Sequence, residues 1–512
     1  MSSTYNDFKK DNRLKLFGHE DAEKEDASRL EAYYYKTQSY EDVVSDLRFQ
    51  IVIGEKGTGK SAVLKIAFSE FEDSDFIPIW IRQDDLVELY QGVNESCVVS
   101  ELKVLWKKSL GRLIAMKIVD GMKFVHSDDA MKAMNWAYNH GYSSRDFISR
   151  LARELKPLYE KYVDLDQKPE AEIGEHHVLD RLMRRNKVIL FLDDFDLDWK
   201  GDLKDIQMIK SLILALSDLT SDIEGLYARI AIRTDVYEMI RTQEFSDKIE
   251  SSIIKCTWNN QEIMMALAKR ICAYYRIDFQ INESEQIQYQ LVKYLNEVFE
   301  PYFDNSTRVW SKAPTHRVIY SLIRRKPRDM VKLCLAVSEK AYTAKKNKID
   351  AKCFLEILDS YSQERMKDLV NEYSRQMTNL MNLLMRMAPT KREMQNKLTE
   401  RYVFKTAELY EKIKNIQGNI NVEIFNPEGE NKKRASFHEI AHFLYRIGFI
   451  TGRTRTSTNK IRRVFYDDIP ELLEQNIGDR GYSWEIHPAY RAAISNGIDD
   501  TWKSTLDVED EE

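Results

Sequence analysis

Cysteine is scarce in this chain: five in 512 residues, Cys97, Cys256, Cys272, Cys334 and Cys353, with no C-x-x-C pair among them. That excludes a disulfide framework or a thiolate metal centre as the organising feature, and it fits a reducing compartment. Long apolar runs are missing too. A membrane helix needs roughly 18 or more apolar residues in a row; none is found, and MSSTYNDFKKDNRLKLFG lacks the continuous apolar stretch of a leader peptide, so a cytoplasmic protein with no membrane contact is expected. Glycine (18) and proline (10) are both sparse, which excludes low-complexity and collagen-like architectures and favours long helices. Charge of one sign is not in large excess either: with 31% charged residues and a formal net charge of −6, nothing pulls the whole molecule toward nucleic acid or an anionic membrane. Any such contact must be local. The length implies roughly two to four domains with room for a large core.

What is present begins with Phe49 to Ser61, FQIVIGEKGTGKS. A buried strand runs into Gly54-Glu55-Lys56-Gly57-Thr58-Gly59-Lys60-Ser61, a full match to G-x-x-x-x-G-K-[ST]. Nucleotide phosphates need several backbone N–H groups converging on one concavity, and the glycines permit that close turn. Lys60 supplies a charge for the β- and γ-phosphates, Ser61 a hydroxyl for Mg²⁺, and the helix from Ala62 points its positive end at the anion. ATP and Mg²⁺ are therefore the expected ligands.

The segment LFGHEDAEKEDASRLEAYYY from Leu16 reads as one helix packed on this core, preceded by loose, polar residues 1–15. Asp75 to Ile81 reads as a second strand, and Val98 to Val119 as an amphipathic helix opening a helical insertion over residues 98–186. Lys187 to Leu192 then gives a central strand that delivers Asp193-Asp194 at its carboxyl end, as a Walker B element does. Asp193 is placed to support Mg²⁺ and Asp194 to activate the attacking water. A further strand, Ala228 to Ile232, ends in Arg233, which either senses the γ-phosphate or pairs with Asp235. Arg241 is a candidate in-trans finger, and Ile253 to Trp258 closes the sheet. In the helical stretch that follows, Pro327 fits the first position of a helix with Arg328 in its first turn. A cation there opposes the helix dipole, so Arg328 either meets a phosphate as a second sensor or pairs with Asp329 or another neighbour.

GEKGTGKS, FLDDFD, AIRTD and RKPRD in this order, with the segment Phe17 to Glu25, resemble the AAA+ branch that holds STAND signalling ATPases and replication-initiator ATPases, and among these the bacterial P-loop ATPases found beside defence genes. The resemblance implies an additional-strand parallel sheet of order 5-1-4-3-2. It implies an N-terminal helical segment over 1–48, an ATPase core over 49–259, a helical lid over 260–350, a connector over 351–388, a winged-helix module over 389–498 and an acidic tail over 499–512. It also implies homo-oligomerisation, an effector protein from a neighbouring gene and a role in antiviral defence or stress signalling; initiator-type DNA binding, or an ATP-locked scaffold, is the alternative. Asp194 stands where many AAA+ enzymes carry Glu, which implies slow hydrolysis or a switch.

Two features of the C-terminal third stand apart. His438-Glu439-Ile440-Ala441-His442 is a literal H-E-x-x-H, the pattern of a zinc protease helix. Ser436 three residues before Glu439 makes a capping box instead, and Phe437, Ile440, Ala441 and Leu444 form the buried stripe. After Gly448, two short strands carry Arg453, Arg455, Lys460, Arg462 and Arg463, a local basic wing for phosphate backbone, an acidic partner or a neighbouring subunit.

Overall fold

The computed structural model describes residues 3–82, 85, 98–121, 187–195, 199, 201–282, 286–303, 310, 312–395, 400–426, 431–455, 461–474, 479–495, 503 and 506, and all structural statements concern these. Most of the expected helical insertion (residues 122–186), Lys460 and residues 507–512 of the acidic tail lie outside them.

Runs of Ile, Val, Leu and Phe without polar alternation are what a strand buried on both faces requires. They form β1 (Phe49–Gly54), β2 (Phe76–Ile81), β3 (Lys187–Leu192), β4 (Leu226–Arg233) and β5 (Ile253–Lys255). These pair in parallel in the order β2-β3-β4-β1-β5, the expected order read from the other edge. β5 is shorter than the sequence suggests. Past Lys255 the side chains turn toward the loop after β1, where the Trp258 indole N–H donates to the Thr58 carbonyl at 2.6 Å and Cys256 Sγ lies 3.4 Å from the same oxygen.

α1 (Lys10–Phe17) buries Leu16 and Phe17 in a core separate from the sheet, and around the sheet lie α2 (Ala27–Tyr33), α3 (Gln38–Val43), α4 (Lys60–Glu72), α5 (Val99–Gly121), α6 (Leu203–Asp222), α7 (Thr234–Ile240) and α8 (Gln243–Ile249). The N-terminal residues are not loose. Tyr5–Phe8 forms a 3₁₀ turn that leads into α1, Phe8 is fully buried, and the Tyr274 hydroxyl donates to Asp7 at 2.9 Å. Nor is there one helix from Leu16: Gly18, at φ 83°, ends α1, and α2 starts afresh where Asp26 accepts from the Arg29 N–H. Glycine in the left-handed region and an Asp cap override the apolar spacing that suggested continuity.

The segment expected as a lid holds α9 (Asn260–Tyr275), α10 (Ile287–Leu295), α11 (Thr315–Leu322) and α12 (Pro327–Thr343), with Pro327 at the first helical position as expected. Then come α13 (Ala351–Tyr373) and α14 (Leu380–Arg386). The C-terminal part holds β6 (Val403–Phe404), α15 (Thr406–Gln417), a hairpin of β7 (Glu423–Asn426) and β8 (Asn431–Arg434), α16 (Phe437–Arg446), β9 (Ile450–Arg455), β10 (Ile461–Val464), β11 (Ser483–Ile486) and α17 (Pro488–Ser495). Its sheet runs β10-β9-β11-β6 and is antiparallel. One apolar core spans lid, α13 and this part, while two others fill the faces of the parallel sheet.

Candidate functional site

β1 hands the chain to a loop whose turns depend on two glycines in the left-handed region, Gly57 at φ 90° and Gly59 at φ 94°. Backbone N–H groups there precede α4, so the helix start and loop together form an anion cradle. The fold is that of an additional-strand P-loop NTPase. Lys60 Nζ folds back on its own loop, donating to the Gly54 carbonyl at 2.8 Å and the Glu55 carbonyl at 3.1 Å.

A cavity of about 420 Å³ opens above the cradle. Lys56, Gly57, Gly59, Lys60 and Ser61 line one side, Asp193 and Asp194 the end of β3, Arg233 the end of β4, and Arg328 the lid. Of the predicted loop residues, Gly54, Glu55 and Thr58 stand behind this lining. Thr58 is buried, with its hydroxyl on the Glu55 carbonyl at 3.0 Å. Asp193 is almost wholly buried and accepts from the Asp194 N–H at 3.1 Å. Asp194 has φ 61°, a conformation that Asp tolerates better than most side chains.

Lys60, Arg233 and Arg328 are each held by the chain's own groups. Arg233 makes a two-pronged pair with Asp235, its Nε 2.9 Å from one carboxylate oxygen. Arg328 pairs with Asp21 and donates to the Glu20 carbonyl at 3.3 Å, which answers its conflict with the α12 dipole. The partner is Asp21 rather than Asp329, because Asp329 turns inward between Arg324 (2.7 Å) and Arg365 (2.6 Å). Burial would raise the Asp21 carboxyl, but Arg328 and Lys24 outweigh it and hold the carboxyl below its usual range. Arg241 points outward, 54% exposed and 3.7 Å from Glu238.

Sequence reasoning missed the residues that reach the loop from elsewhere. Lys326, 3% exposed, forms an ion pair with Glu55, and the Tyr373 hydroxyl donates to the same carboxylate at 3.0 Å. Burial alone would raise Glu55; the Lys326 ammonium, with Arg324 and Tyr373, brings it below the usual carboxylate range. Glu372 accepts the Lys56 N–H at 2.9 Å, and the Gly57 carbonyl accepts the Arg328 N–H at 3.2 Å. These pairings join residues some 300 positions apart, which no local pattern reveals.

The basic wing needs correction at two positions. Arg453 and Arg463 are 5% and 2% exposed, not surface groups. They face each other across the β9–β10 pairing, where like charges repel unless a counter-charge intervenes, and Glu485 on β11 supplies it at 3.4 Å and 3.1 Å, with Arg491 on the same carboxylate. Arg455 and Arg462 are exposed. In the H-E-x-x-H segment, the Glu439 N–H donates to Ser436 Oγ at 3.2 Å, Glu439 accepts back from the Ser436 N–H at 2.8 Å, and His442 Nε2 lies 3.2 Å from the Pro470 carbonyl. Glu439 is thus a helix cap, as expected, and Gly448 (φ 68°) follows the helix end.

No family model matches the sequence. A stretch of 289 residues is 22% identical to a putative transposon gamma-delta 80.3 kDa protein of Escherichia coli K12, covering 52% of this chain and 40% of that protein. The chain therefore spans less than half the length of that relative. Among solved structures, the Aeropyrum pernix ORC2 protein overlays with a TM-score of 0.36 at 9% identity, covering 88% of this chain and 87% of that one. The A. pernix ORC1 protein in complex with DNA gives 0.35 at 12% identity (96% and 98% covered), and Cdc6p from Pyrobaculum aerophilum gives 0.29 at 12% (94% and 99%). The fold is established by the strand order and the loop, not by these distant overlays. Among the described residues no helix is long and apolar enough to cross a membrane.

Proposed function

We propose that the chain is a Mg²⁺-dependent ATP-binding and ATP-hydrolysing switch. One observation carries this: Lys60, Ser61, Asp193, Asp194, Arg233 and Arg328, from separate segments, line one cavity over a phosphate loop. The donor set fits the metal, since Mg²⁺ keeps several waters and takes one or two protein oxygens beside the phosphates, and Ser61 with Asp193 offers a hydroxyl and a carboxylate. Bound Mg²⁺ would neutralise phosphate charge. On nucleotide entry Lys60 leaves its loop carbonyls for phosphate oxygens, Arg233 and Arg328 exchange carboxylate partners for phosphate, and Asp194 takes the proton of the attacking water.

The test is phosphate release from Mg²⁺-ATP by the wild type, Lys60→Ala and Asp194→Asn. Wild-type turnover well above both variants supports hydrolysis. Equal rates would leave an ATP-locked scaffold as the better reading.

For output we favour nucleotide-dependent homo-oligomerisation that controls an effector encoded nearby, in bacterial defence or stress signalling; this part rests on the motif resemblance. Arg241, exposed at the core surface, suits a finger offered to a neighbouring copy. A DNA-binding reading, with the C-terminal part as a winged helix, is favoured by one observation, the exposed Arg455 and Arg462 on the β9–β10 hairpin. Reversing both charges abolishes low-salt DNA retention if that reading holds; a wild type that never binds DNA rejects it.

A further inference from the structure

The carboxyl end of α13 abuts the phosphate loop, and its last two side chains bond to it. Glu372 accepts the Lys56 N–H at 2.9 Å, and the Tyr373 hydroxyl donates to Glu55 at 3.0 Å. One turn on, Gln376 Nε2 donates 2.6 Å to the carbonyl of Asp235, the residue whose carboxylate holds Arg233. The same Gln376 accepts from Arg446 on α16, which also reaches Glu238 at 3.5 Å. The Met377–Ile424 bridge and the Thr378 N–H on the Glu423 carbonyl (2.9 Å) continue the connection to the β7–β8 hairpin.

We propose that Glu372, Tyr373 and Gln376 are positioning residues of the phosphate site, so that docking of α13 pre-shapes the loop for nucleotide. The inference rests on the nucleotide reading above. A loop with two left-handed glycines has many conformations when free, and holding Glu55 and Lys56 from the side away from the cavity removes part of that freedom before ligand arrives. Because Gln376, just past α13, also holds Arg446 and the first turn of α7, directly after the candidate sensor Arg233, this end of α13 meets the cradle, the start of α7 and α16. Coupling of this kind is reciprocal: what docking adds to nucleotide affinity, nucleotide adds to docking of the C-terminal part.

The experiment titrates the full-length protein with a fluorescent N-methylanthraniloyl ATP and Mg²⁺. Tyr373→Phe and Glu372→Met, both close in size to the native side chains and unable to make these bonds, should weaken binding by about tenfold, the worth of one buried hydrogen bond. Tyr361→Phe is the control: it removes a buried hydroxyl from the same helix, donated to the Leu322 carbonyl at 3.0 Å and remote from the loop, and should change affinity by less than about twofold. Hydrogen exchange supplies the second readout. Nucleotide should slow exchange of the bonded amides of Gln376, Met377 and Thr378 in the wild type and not in Tyr373→Phe. Unchanged affinity in both loop-facing variants, an equal loss in Tyr361→Phe, or no nucleotide effect on these amides overturns the inference while leaving the nucleotide site standing. A wild type that does not bind the probe rejects both.

Discussion

Asp194 and Gly57 show how single positions divide chemistry from backbone demands. Asp194 lies at φ 61°, where Asn is accepted as readily as Asp, so Asp194→Asn removes the carboxylate without backbone strain. Loss of a general base typically costs about 10²–10⁴ in rate, so phosphate release should fall by at least about a hundredfold while ATP affinity stays within about threefold. Turnover and equilibrium binding on the same preparation check this. At Gly57, φ is 90° and an added Cβ would come 2.8 Å from Arg328 Cβ. Gly57→Ala should therefore weaken nucleotide binding and lower the unfolding midpoint together, since the loop and the start of α12 cannot both keep their places.

His487 gives a pH signature. Its Nδ1 accepts the Ala489 N–H at 3.2 Å at the start of α17, and burial, aided by Arg463 and Arg324, pushes the imidazole down to about 3. An unfolded chain binds that proton below about 6.5, and the native one refuses it until near 3, so stability declines as pH falls through this window, by up to about 1.4 kcal/mol per pH unit. His487→Asn keeps a cap acceptor but does not titrate. Thermal scans from pH 7 to 5 should show a shallower decline in the variant; an identical slope would contradict the assignment.

At the scale of elements, the segment between α11 and α12 is a distributor. Arg324 goes to Asp329 and Tyr490, Arg325 to Asp468, Lys326 to Glu55, and Arg328 to Asp21, so four cations within five consecutive residues tie the phosphate loop, the N-terminal segment and the C-terminal part together. The β9–β10–β11 sheet has its own buried knot. Glu485 is fully buried; burial alone would raise its carboxyl, yet Arg463, Arg491 and Arg453 hold it far below the usual range. Glu485→Gln leaves those guanidinium groups uncompensated and should cost about 3–5 kcal/mol in denaturant unfolding.

These elements also mark what could be read from sequence. The strands, the loop GEKGTGKS, the acids after β3, Pro327 at a helix start and the Ser436–Glu439 box are local signals, and the structure keeps them, with β5 cut back to Ile253–Lys255. Arg453 and Arg463 read as surface groups in the sequence, because strand charges look alike until the partner, Glu485, is brought beside them by a third strand. Glu55 carried no signal beyond an unrestricted position in the loop motif. Its partners Lys326 and Tyr373 are set by tertiary packing alone.

For the whole molecule, the lid, α13 and the C-terminal part share one apolar core while α12 and α13 both touch the phosphate loop. Under the proposed coupling, a change in what the loop holds is passed to α12, α13 and the C-terminal part packed with them. The motif resemblance leads to the further expectation that this change alters assembly. The decisive measurement is the mass of the protein in solution, by light scattering, with Mg²⁺-ADP and with Mg²⁺-ATP, Lys60→Ala serving as control. A switch of the kind proposed changes assembly state between the two nucleotides in the wild type and not in Lys60→Ala. A wild-type mass that is the same in both nucleotides would contradict it.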